Sequence, residues 1–421
     1  MSIYDVIARC RSCGSTDLET VLDLGTTPLA DSLLTTEQLD EQEPMVPLTL
    51  VVCRECALAQ ILETVEPEVL FHDQYPYFSS VSPRLREHFG SSARDIIASE
   101  ELGADDLVVE AASNDGCMLK NFVEAGVPVL GIDPAGAPVR AAIEAGVPTL
   151  HDFFGHELAK TVRAEHGEAS VFLGHNVLAH VAALTGFVAG MAELLADDGL
   201  AVIECPYVLD LVDHVEFDTI YHQHLCYFSI TALVSLFERH GLRLVDVARI
   251  DIHGGSVRLF IRRDGEVSDR VSDLLVEERR RGFDSPEGYR RFADRVRGLR
   301  TDLRQLLDDL HADGKRVVGY AAAAKATTML SFCGLGTDHL EYVCDLNEFK
   351  QGKYMPGSRL PIVAPSRLAE DRPDHVVIHA RNFADEIVRQ NSDFEAAGGR
   401  FIVPVPDPRV LEPAAAGGGA S

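Results

Sequence analysis

The chain has 421 residues, of which 46% are hydrophobic and 25% charged, a composition typical of a folded protein with a large core and two or three domains. Its 66 acidic and 38 basic side chains give a net charge of -28, which disfavours nucleic acid as a partner because such a surface repels phosphate backbones. Apolar runs are too short for a membrane span and residues 1–11 do not resemble a signal peptide, so we expect a cytoplasmic protein without membrane contact.

Two C-x-x-C pairs near the amino terminus, Cys10 with Cys13 and Cys53 with Cys56, indicate a metal site. Each pair forms a tight knuckle that presents two thiolates to Zn²⁺, and four sulfur ligands leave no open coordination position. We therefore predict a structural zinc in a small domain over residues 1–72. The other five cysteines are scattered, and we expect them to be buried thiols.

The rest of the chain alternates strands and helices. A helix is predicted over residues 82–99, and the predicted strands of a Rossmann-like domain over residues 73–265 lie at 107–112, 127–132, 170–172, 200–204 and 244–250. A helical connector over 266–312, interrupted near Pro286, precedes a second α/β domain over 313–411, and residues 412–421 read as a disordered tail. The predicted fold class is α/β, with an N-terminal zinc-binding domain, a central Rossmann-like domain and a C-terminal Rossmann-like domain.

The first strand of the central domain ends in a polar turn rather than in G-x-G-x-x-G. A glycine-rich turn lets a pyrophosphate approach backbone N–H groups, so its replacement by Ser113, Asn114 and Asp115 favours a cofactor without phosphates. S-adenosylmethionine fits, because carboxylates such as Glu110 or Asp115 can bind its cationic ammonium and sulfonium groups. These four residues are predicted to contact that cofactor.

Residues after the next strands extend the predicted cofactor site. Asp133 ends the second strand, where a carboxylate can bind ribose hydroxyls. Asp152 and Phe153 lie where a third strand would reach an adenine ring, and we assign His175 and Asn176 to the cofactor as well. Each has an ordinary alternative, since strand-end aspartates cap helices and phenylalanines form cores, but their order favours a nucleoside cofactor.

Histidine and tyrosine are concentrated in residues 174–180 and 217–228, where His222 and His224 are flanked by Tyr221 and Tyr227. These groups move protons near neutral pH, so acid–base use is favoured over a structural role or a catalytic zinc. In an extended chain His222 and His224 would point in opposite directions, so only one of them would face a given pocket. The segment after Asp251 contains paired glycines, which indicate either a close approach to a ligand or a plain turn.

These motifs together resemble those of the sugar C-methyltransferases of antibiotic deoxysugar pathways, which act on thymidine-diphosphate-linked 4-keto-6-deoxyhexoses. The motifs that carry the resemblance are Cys10-x-x-Cys13, Cys53-x-x-Cys56-Ala-Leu-Ala-Gln60, Tyr75-Pro-Tyr77-Phe-Ser-Ser80, Ser113-Asn-Asp-Gly116, Gly174-His-Asn-Val-Leu-Ala-His180, Ile220-Tyr-His-Gln-His224, His253-Gly-Gly-Ser256 and Lys350-Gln-Gly-Lys353-Tyr-Met-Pro-Gly357. The resemblance covers nearly the whole chain. It implies a zinc-binding domain, a methyltransferase domain and a C-terminal α/β domain that helps to close over the nucleotide sugar.

The resemblance also implies catalytic roles for His180, Tyr221 and His224, together with Tyr75 or Tyr77. Relatives commonly carry Glu between the two histidines of the Tyr-His-x-His motif, whereas this chain has Gln223, which cannot act as a general base. Either Gln223 only orients its neighbours or the proton acceptor is another residue, and we predict that His224 removes a proton next to the C4 ketone, with C3 favoured over C5.

The nucleotide sugar requires cationic ligands for its diphosphate, and the candidates are Lys325, Lys350, Lys353 and Arg381, with His222 as a further substrate contact. Two other functions compete with methyl transfer. One is a nucleotide-sugar ketoreductase or epimerase, which the missing glycine-rich turn disfavours, and the other is a non-enzymatic zinc-knuckle protein. A monomer is favoured, although the sequence does not determine the oligomeric state.

Overall fold

The computed structural model describes residues 3–70, 78–252 and 254–412, and this part of the chain contains four β-sheets. The strands are β1 (Tyr4–Val6), β2 (Leu18–Pro28), β3 (Met45–Cys53), β4 (Ala59–Ile61), β5 (Glu63–Val65), β6 (Val108–Ala111), β7 (Val129–Asp133), β8 (Thr149–His151), β9 (Ala169–His175), β10 (Leu195–Pro206), β11 (Cys226–Tyr227), β12 (Arg243–Ile250), β13 (Ser256–Arg262), β14 (Val317–Tyr320), β15 (Val343–Cys344), β16 (Ile362–Val363), β17 (His375–Ile378), β18 (Arg400–Val403) and β19 (Arg409–Val410).

Helices alternate with many of these strands. They are α1 (Pro67–Leu70), α2 (Pro83–Ser99), α3 (Leu119–Glu124), α4 (Gly136–Glu144), α5 (His156–His166), α6 (Leu184–Leu194), α7 (Val208–Asp213), α8 (Ile230–Glu238), α9 (Asp269–Arg281), α10 (Pro286–Ala312), α11 (Ala324–Cys333), α12 (Arg367–Asp371), α13 (Ala384–Gln390) and α14 (Ser392–Ala396). Among the described residues, no helix is both long enough and apolar enough to cross a bilayer.

The N-terminal sheet is antiparallel, with strand order β11-β4-β3-β2. Alternate side chains of β3, namely Val46, Leu48, Leu50 and Val52, are at most 2% exposed, which is the period of two expected of a strand with one face in a core. The edge strand β11 comes from far along the chain and pairs Cys226 with Gln60. The N-terminal sheet is therefore completed by the histidine- and tyrosine-rich segment.

The central sheet has the order β12-β13-β10-β9-β6-β7-β8. Its strands from β10 to β8 are parallel, and β13 and β12 extend it as an antiparallel edge. β6 is buried along its whole length, as expected of a parallel strand covered by helices on both faces. Because the strands are parallel, the segments after β6, β7, β8 and β9 all emerge at the same edge of this sheet.

The C-terminal sheet has the order β16-β15-β14-β17-β18-β19 and is parallel except for β19. The helices α9 and α10 connect it to the central sheet. α10 begins at Pro286, where Ser285 caps the helix by accepting a hydrogen bond from the N–H of Glu287, so the predicted interruption is a helix boundary.

The predicted α/β fold class is confirmed, and each predicted strand lies within a few residues of an observed one. The strand β13, which follows the paired glycines, was not among the predicted strands. Tyr75, Tyr77, His253 and most of the predicted tail lie outside the described residues. The domain boundaries stay a prediction.

Candidate active site

The four paired cysteines come together as the sequence predicts. The Sγ atoms of Cys10 and Cys56 are 3.5 Å apart, those of Cys13 and Cys53 are 3.4 Å apart, and all four lie within 4.8 Å of one another. Thiolates bound tetrahedrally to zinc, with Zn–S bonds of about 2.3 Å, are separated by about 3.8 Å, so this set fits the ion. Each knuckle turns through a residue with positive φ, Gly14 or Ala57. With four sulfur ligands the zinc is structural.

The predicted cofactor turn leaves β6 through residues in the left-handed region, with φ of 57° at Ala112 and 50° at Asn114. β7 passes directly against this turn, because a Cβ atom on Gly131 would lie 2.5 Å from the Ser113 hydroxyl oxygen. Asp133 ties the two segments together by accepting hydrogen bonds from the N–H groups of Asn114 (2.9 Å) and Ala135 (2.8 Å). Burial raises the pKa of Asp133.

Asn114 and Asp115 also hold the turn that precedes α2. The Asn114 side-chain oxygen accepts the N–H of Ser79 at 2.9 Å, and one Asp115 carboxylate oxygen accepts the N–H of Ser80 at 3.1 Å. These two residues therefore fix the positions of Ser79 and Ser80 relative to the predicted cofactor turn.

Five buried polar atoms at the ends of β6 and β9 have no hydrogen-bond partner within the described part of the chain. They belong to predicted cofactor residues and are Glu110 Oε2, Ser113 Oγ, Asp115 Oδ1, His175 Nε2 and Asn176 Oδ1. Buried polar groups are normally satisfied, so their concentration at one sheet edge fits a site that is completed by a polar ligand. S-adenosylmethionine, with its ammonium, carboxylate and ribose hydroxyl groups, meets this requirement.

A buried charge network lies under this edge. His175 donates from Nδ1 to Glu110 at 2.8 Å, and on the neighbouring strand Glu204 accepts from Arg258 at 2.7 Å and contacts His88 Nε2 at 2.9 Å. Burial alone would raise the pKa of Glu204, but the cationic partners lower it to about 2. Burial opposes the charged form of His175, but the carboxylates of Glu204 and Glu110 outweigh it and raise the pKa of the imidazole. Sequence reasoning missed Glu204, although an acid that ends an apolar strand was a signal.

Asp152 and Phe153 follow β8 at the same edge. Phe153 is 51% exposed, and its N–H is bound by Asp152 at 2.7 Å. The next residue, Phe154, instead packs on Phe172 with ring centroids 5.0 Å apart. Phe153 is thus the aromatic side chain that remains accessible to a ligand, whereas Phe154 belongs to the core.

Tyr221, His224 and His180 form one cluster of half-buried side chains. The Tyr221 hydroxyl lies 3.1 Å from His224 Nε2, and the rings of His180 and His224 are edge to face with centroids 4.8 Å apart. His224 Nδ1–H donates to the carbonyl of Thr219 at 2.8 Å, and His180 Nδ1–H donates to that of Gln223 at 2.7 Å. In the neutral rings both Nε2 atoms therefore carry lone pairs. Burial lowers the pKa of His180, which keeps that ring neutral.

Two predicted residues of the same segment face away from solvent. His222 is 1% exposed and donates from Nε2 to the carbonyl of Pro47 on β3 at 2.9 Å, and burial lowers its pKa. His222 is therefore anchored to the N-terminal sheet, and its contact with substrate stays a prediction. Gln223 is 8% exposed and orients His180 through its backbone carbonyl.

The predicted diphosphate ligands lie around the carboxyl ends of β14 and β17. Lys325 Nζ donates to Asn382 at 2.9 Å, and Lys350 Nζ donates to the carbonyl of Ala322 at 2.7 Å. Lys353 is half-buried and its backbone carbonyl accepts the N–H of Ile362. Arg381 lies 3.5 Å from Glu216, so this cation faces a carboxylate of the central domain, which the sequence did not indicate.

Glu216 and Asp218 form a buried acid pair opposite Lys325 and Arg381. Burial raises the pKa of Glu216 to about 7 and that of Asp218 to about 6, although both cations act in the opposite direction. The folded protein therefore holds a proton on Glu216 that an unfolded chain, with a pKa near 4.5, has already released. The contribution of Glu216 to the unfolding free energy is therefore fully present at low pH, and it is lost as the pH rises from about 4.5 to about 7.

We expect Glu216→Gln to remove this pH dependence, because glutamine imitates the protonated acid. Between pH 5 and pH 8 the unfolding free energy of the unchanged protein should fall by about 2–3 kcal/mol more than that of the variant, at about 1.4 kcal/mol per pKa unit. Urea unfolding at both pH values measures it. Glu124→Gln, at a side chain that is 66% exposed, is the control and should leave the pH dependence unchanged. An equal pH dependence with and without Glu216 would contradict the assignment.

Comparison with known proteins assigns the three parts of the chain. Family models match residues 10–71 as a zinc binding domain, residues 86–247 as a methyltransferase domain and residues 251–406 as a C-methyltransferase C-terminal domain. The chain is 40% identical over 408 residues to the C-methyltransferase NovU of Streptomyces niveus, an alignment that covers 96% of this chain and 97% of that protein.

Two solved structures overlap with part of the chain. Magnesium protoporphyrin IX methyltransferase of Synechocystis is 14% identical with a TM-score of 0.32, covering 42% of this chain and 79% of that one. An S-adenosylmethionine-dependent methyltransferase of Clostridium acetobutylicum is 7% identical with a TM-score of 0.35, covering 43% and 92% respectively.

Proposed function

The chain belongs to the C-methyltransferase family, and from that premise we propose that it uses S-adenosylmethionine to methylate a ring carbon of a thymidine-diphosphate-linked 4-keto-deoxysugar. The carbon is one of the two neighbours of the ketone, with C3 favoured over C5. The observation that carries the proposal is the Tyr221–His224 pair, in which a base with a fixed tautomer lies beside a phenol.

The donor site comprises the segments after β6, β7, β8 and β9. Glu110, Ser113 and Asp115 supply acceptors for the ammonium group, directly or through water, and Asp133 supplies acceptors for the ribose hydroxyls. Asp152 and Phe153 border the adenine, and His175 with Asn176 completes the site on the side of β9. S-adenosylmethionine supplies an electrophilic methyl group when it is bound there.

A sugar carbon must become a nucleophile before it can accept a methyl cation equivalent. His224 Nε2 removes the proton from the carbon next to the ketone, and the electron pair of that C–H bond moves onto the C4 oxygen as an enolate. The hydrogen bond from Nδ1–H to the Thr219 carbonyl leaves Nε2 as the atom that gains the proton. The same carbonyl then stabilises the imidazolium, because it accepts a hydrogen bond from a charged donor. The methyl donor held by the segments after β6, β7, β8 and β9 would supply the methyl group to this carbon, with its methyl C–S bond broken and S-adenosylhomocysteine released, and the C4 carbonyl would be restored.

Tyr221 and His180 act next to this base. The Tyr221 hydroxyl, 3.1 Å from His224 Nε2, can donate a hydrogen bond to the enolate oxygen as charge develops there. His180, whose Nδ1–H donates to the carbonyl of Gln223, packs edge to face on the His224 ring and holds the base in place. Tyr75 and Tyr77, which lie outside the described residues, stay candidate catalytic residues in this proposal.

The diphosphate binds to cations of the C-terminal sheet. Lys325 and Arg381 lie opposite the buried pair Glu216 and Asp218, with Lys350 and Lys353 on the neighbouring loop. Lys325 and Arg381 both stabilise the charged forms of the buried acids, so a bound diphosphate would compete with Glu216 and Asp218 for these two cations.

Incubation with a panel of thymidine-diphosphate keto-sugars and the methyl donor tests the function. We expect one methyl group to be added per sugar, detected by mass spectrometry, with NMR placing it on the carbon next to the ketone. The panel should vary the C3 substituent among hydroxyl, amino and nitro. Methylation of an oxygen or nitrogen, or no methylation of any 4-keto sugar while S-adenosylhomocysteine binds normally, would contradict the proposal.

A further inference from the structure

Tyr221 and His224 lie on a segment without regular secondary structure, residues 220–225, between the short 3-10 helix Phe217–Thr219 and β11. We name residues 220–225 the catalytic loop. A loop has no hydrogen-bond ladder of its own, so the contacts that its neighbours make with it determine where its side chains lie. Those contacts come from all three parts of the chain.

The N-terminal sheet holds the middle and the end of the catalytic loop. His222 Nε2–H donates to the carbonyl of Pro47 at 2.9 Å, directly between the two residues that act in the proposed reaction. The N–H of Ile61 donates to the carbonyl of Leu225 at 3.0 Å, and the chain then continues as β11, paired with β4. The position of His224 is therefore tied to the zinc-binding part of the chain.

The C-terminal part holds the beginning of the loop. Thr328 on α11 is 1% exposed, and its hydroxyl donates to the carbonyl of Ile220 at 2.9 Å. On the same helix Phe332 packs against Phe217 with ring centroids 5.4 Å apart. In the central domain the carbonyl of Ala179 accepts the N–H of Leu225 at 2.7 Å.

We infer that Thr328 and His222, both of which are buried, are positioning residues that place Tyr221 and His224 for proton removal. Each uses a side-chain donor to join the catalytic loop to a different domain. A displacement of about 1 Å at a reacting group can lower a rate about 100-fold, so these distant bonds matter to the chemical step more than to substrate binding. The inference rests on the proposed function for its rate measurements but not for its structural measurement.

The test compares Thr328→Val, which removes the hydroxyl and keeps the shape, with Thr328→Ser, which keeps the hydroxyl. We expect Thr328→Val to lower kcat about 10- to 100-fold with KM changed less than threefold, and Thr328→Ser to restore most of kcat. Thr231→Val is the matched control, because it removes a 2.7 Å bond to the buried Glu278, outside the catalytic loop. It should change kcat less than twofold at a similar loss of melting temperature.

A second measurement needs no substrate. Hydrogen–deuterium exchange of peptides covering residues 219–227 should be faster in Thr328→Val and in His222→Leu than in the unchanged protein, and unaffected in Thr231→Val. Exchange and kcat both unchanged in Thr328→Val and His222→Leu would overturn the inference. If the unchanged protein methylates no sugar but the exchange differences are found, the proposed function fails and the anchoring of the loop stands.

Discussion

His224→Asn is expected to lower kcat for methyl transfer by about 10²- to 10⁴-fold, the range typical of a lost general base. The asparagine side chain still has an N–H that can donate to the carbonyl of Thr219, so the anchor of this position is retained. No atom then remains at the position of Nε2 to accept the proton. Steady-state kinetics with the preferred sugar, together with calorimetric titration of S-adenosylhomocysteine, measures the effect.

The same substitution at a surface histidine is the control. His311 Nε2 contacts the carbonyl of His339 at 2.9 Å, and His311→Asn should leave kcat within about twofold of the unchanged protein. In the presence of S-adenosylhomocysteine, which cannot donate a methyl group, exchange with D₂O of the proton next to the sugar ketone measures deprotonation alone. The rate of this exchange should fall in His224→Asn by a factor similar to the fall in kcat. A His224→Asn protein with full turnover and normal ligand binding would show that another residue is the base.

Cys53→Ala is expected to abolish stoichiometric zinc binding and to lower the unfolding free energy of the N-terminal domain by at least about 3 kcal/mol. Structural zinc sites contribute on the order of 10 kcal/mol or more to small domains, and three sulfur ligands hold the ion far less tightly than four. Metal analysis of the purified protein gives the zinc content, and thermal unfolding gives the stability. Activity should fall as well, because the catalytic loop is hydrogen-bonded to the sheet that the zinc stabilises.

Cys333→Ala controls for the loss of a buried thiol. Cys333 is 0% exposed, as is Cys53, and burial raises the pKa of its thiol to about 12, so it is an inert core group. The variant should keep its zinc and lose only about 1–2 kcal/mol. Full zinc content in Cys53→Ala, with a melting temperature no lower than that of Cys333→Ala, would rule out the four-sulfur site.

Local patterns in the sequence predicted the features that depend on neighbours along the chain. The C-x-x-C spacing predicted the two knuckles because each pair forms within one turn, and strand-end positions predicted the edge where Glu110, Asp133 and Asn176 lie. Parallel strands place such residues together whatever their exact register. The proximity of Tyr221 to His224 also follows from a spacing of three residues.

Features that depend on pairing between distant segments could not be predicted. Glu204 contacts residues of α2 and β13, and the chain contains no signal that links those segments before the sheet order is known. His222 contacts Pro47, which lies 175 residues earlier. Likewise, the sequence indicated that Arg381 is a cation for a ligand, but only the packing of the two domains shows that it faces Glu216.

The strand β11 is synthesised long after β4, with which it pairs, and this order affects how the chain folds during translation. All ligands of the zinc are synthesised by residue 56, yet the strand that covers the edge of β4 is synthesised some 170 residues later. Until then β4 presents unpaired N–H and C=O groups, the kind of edge that recruits other chains. An N-terminal fragment that ends before residue 226 would thus contain all four zinc ligands and leave that edge open to association, and the edge is covered only once β11 has been synthesised.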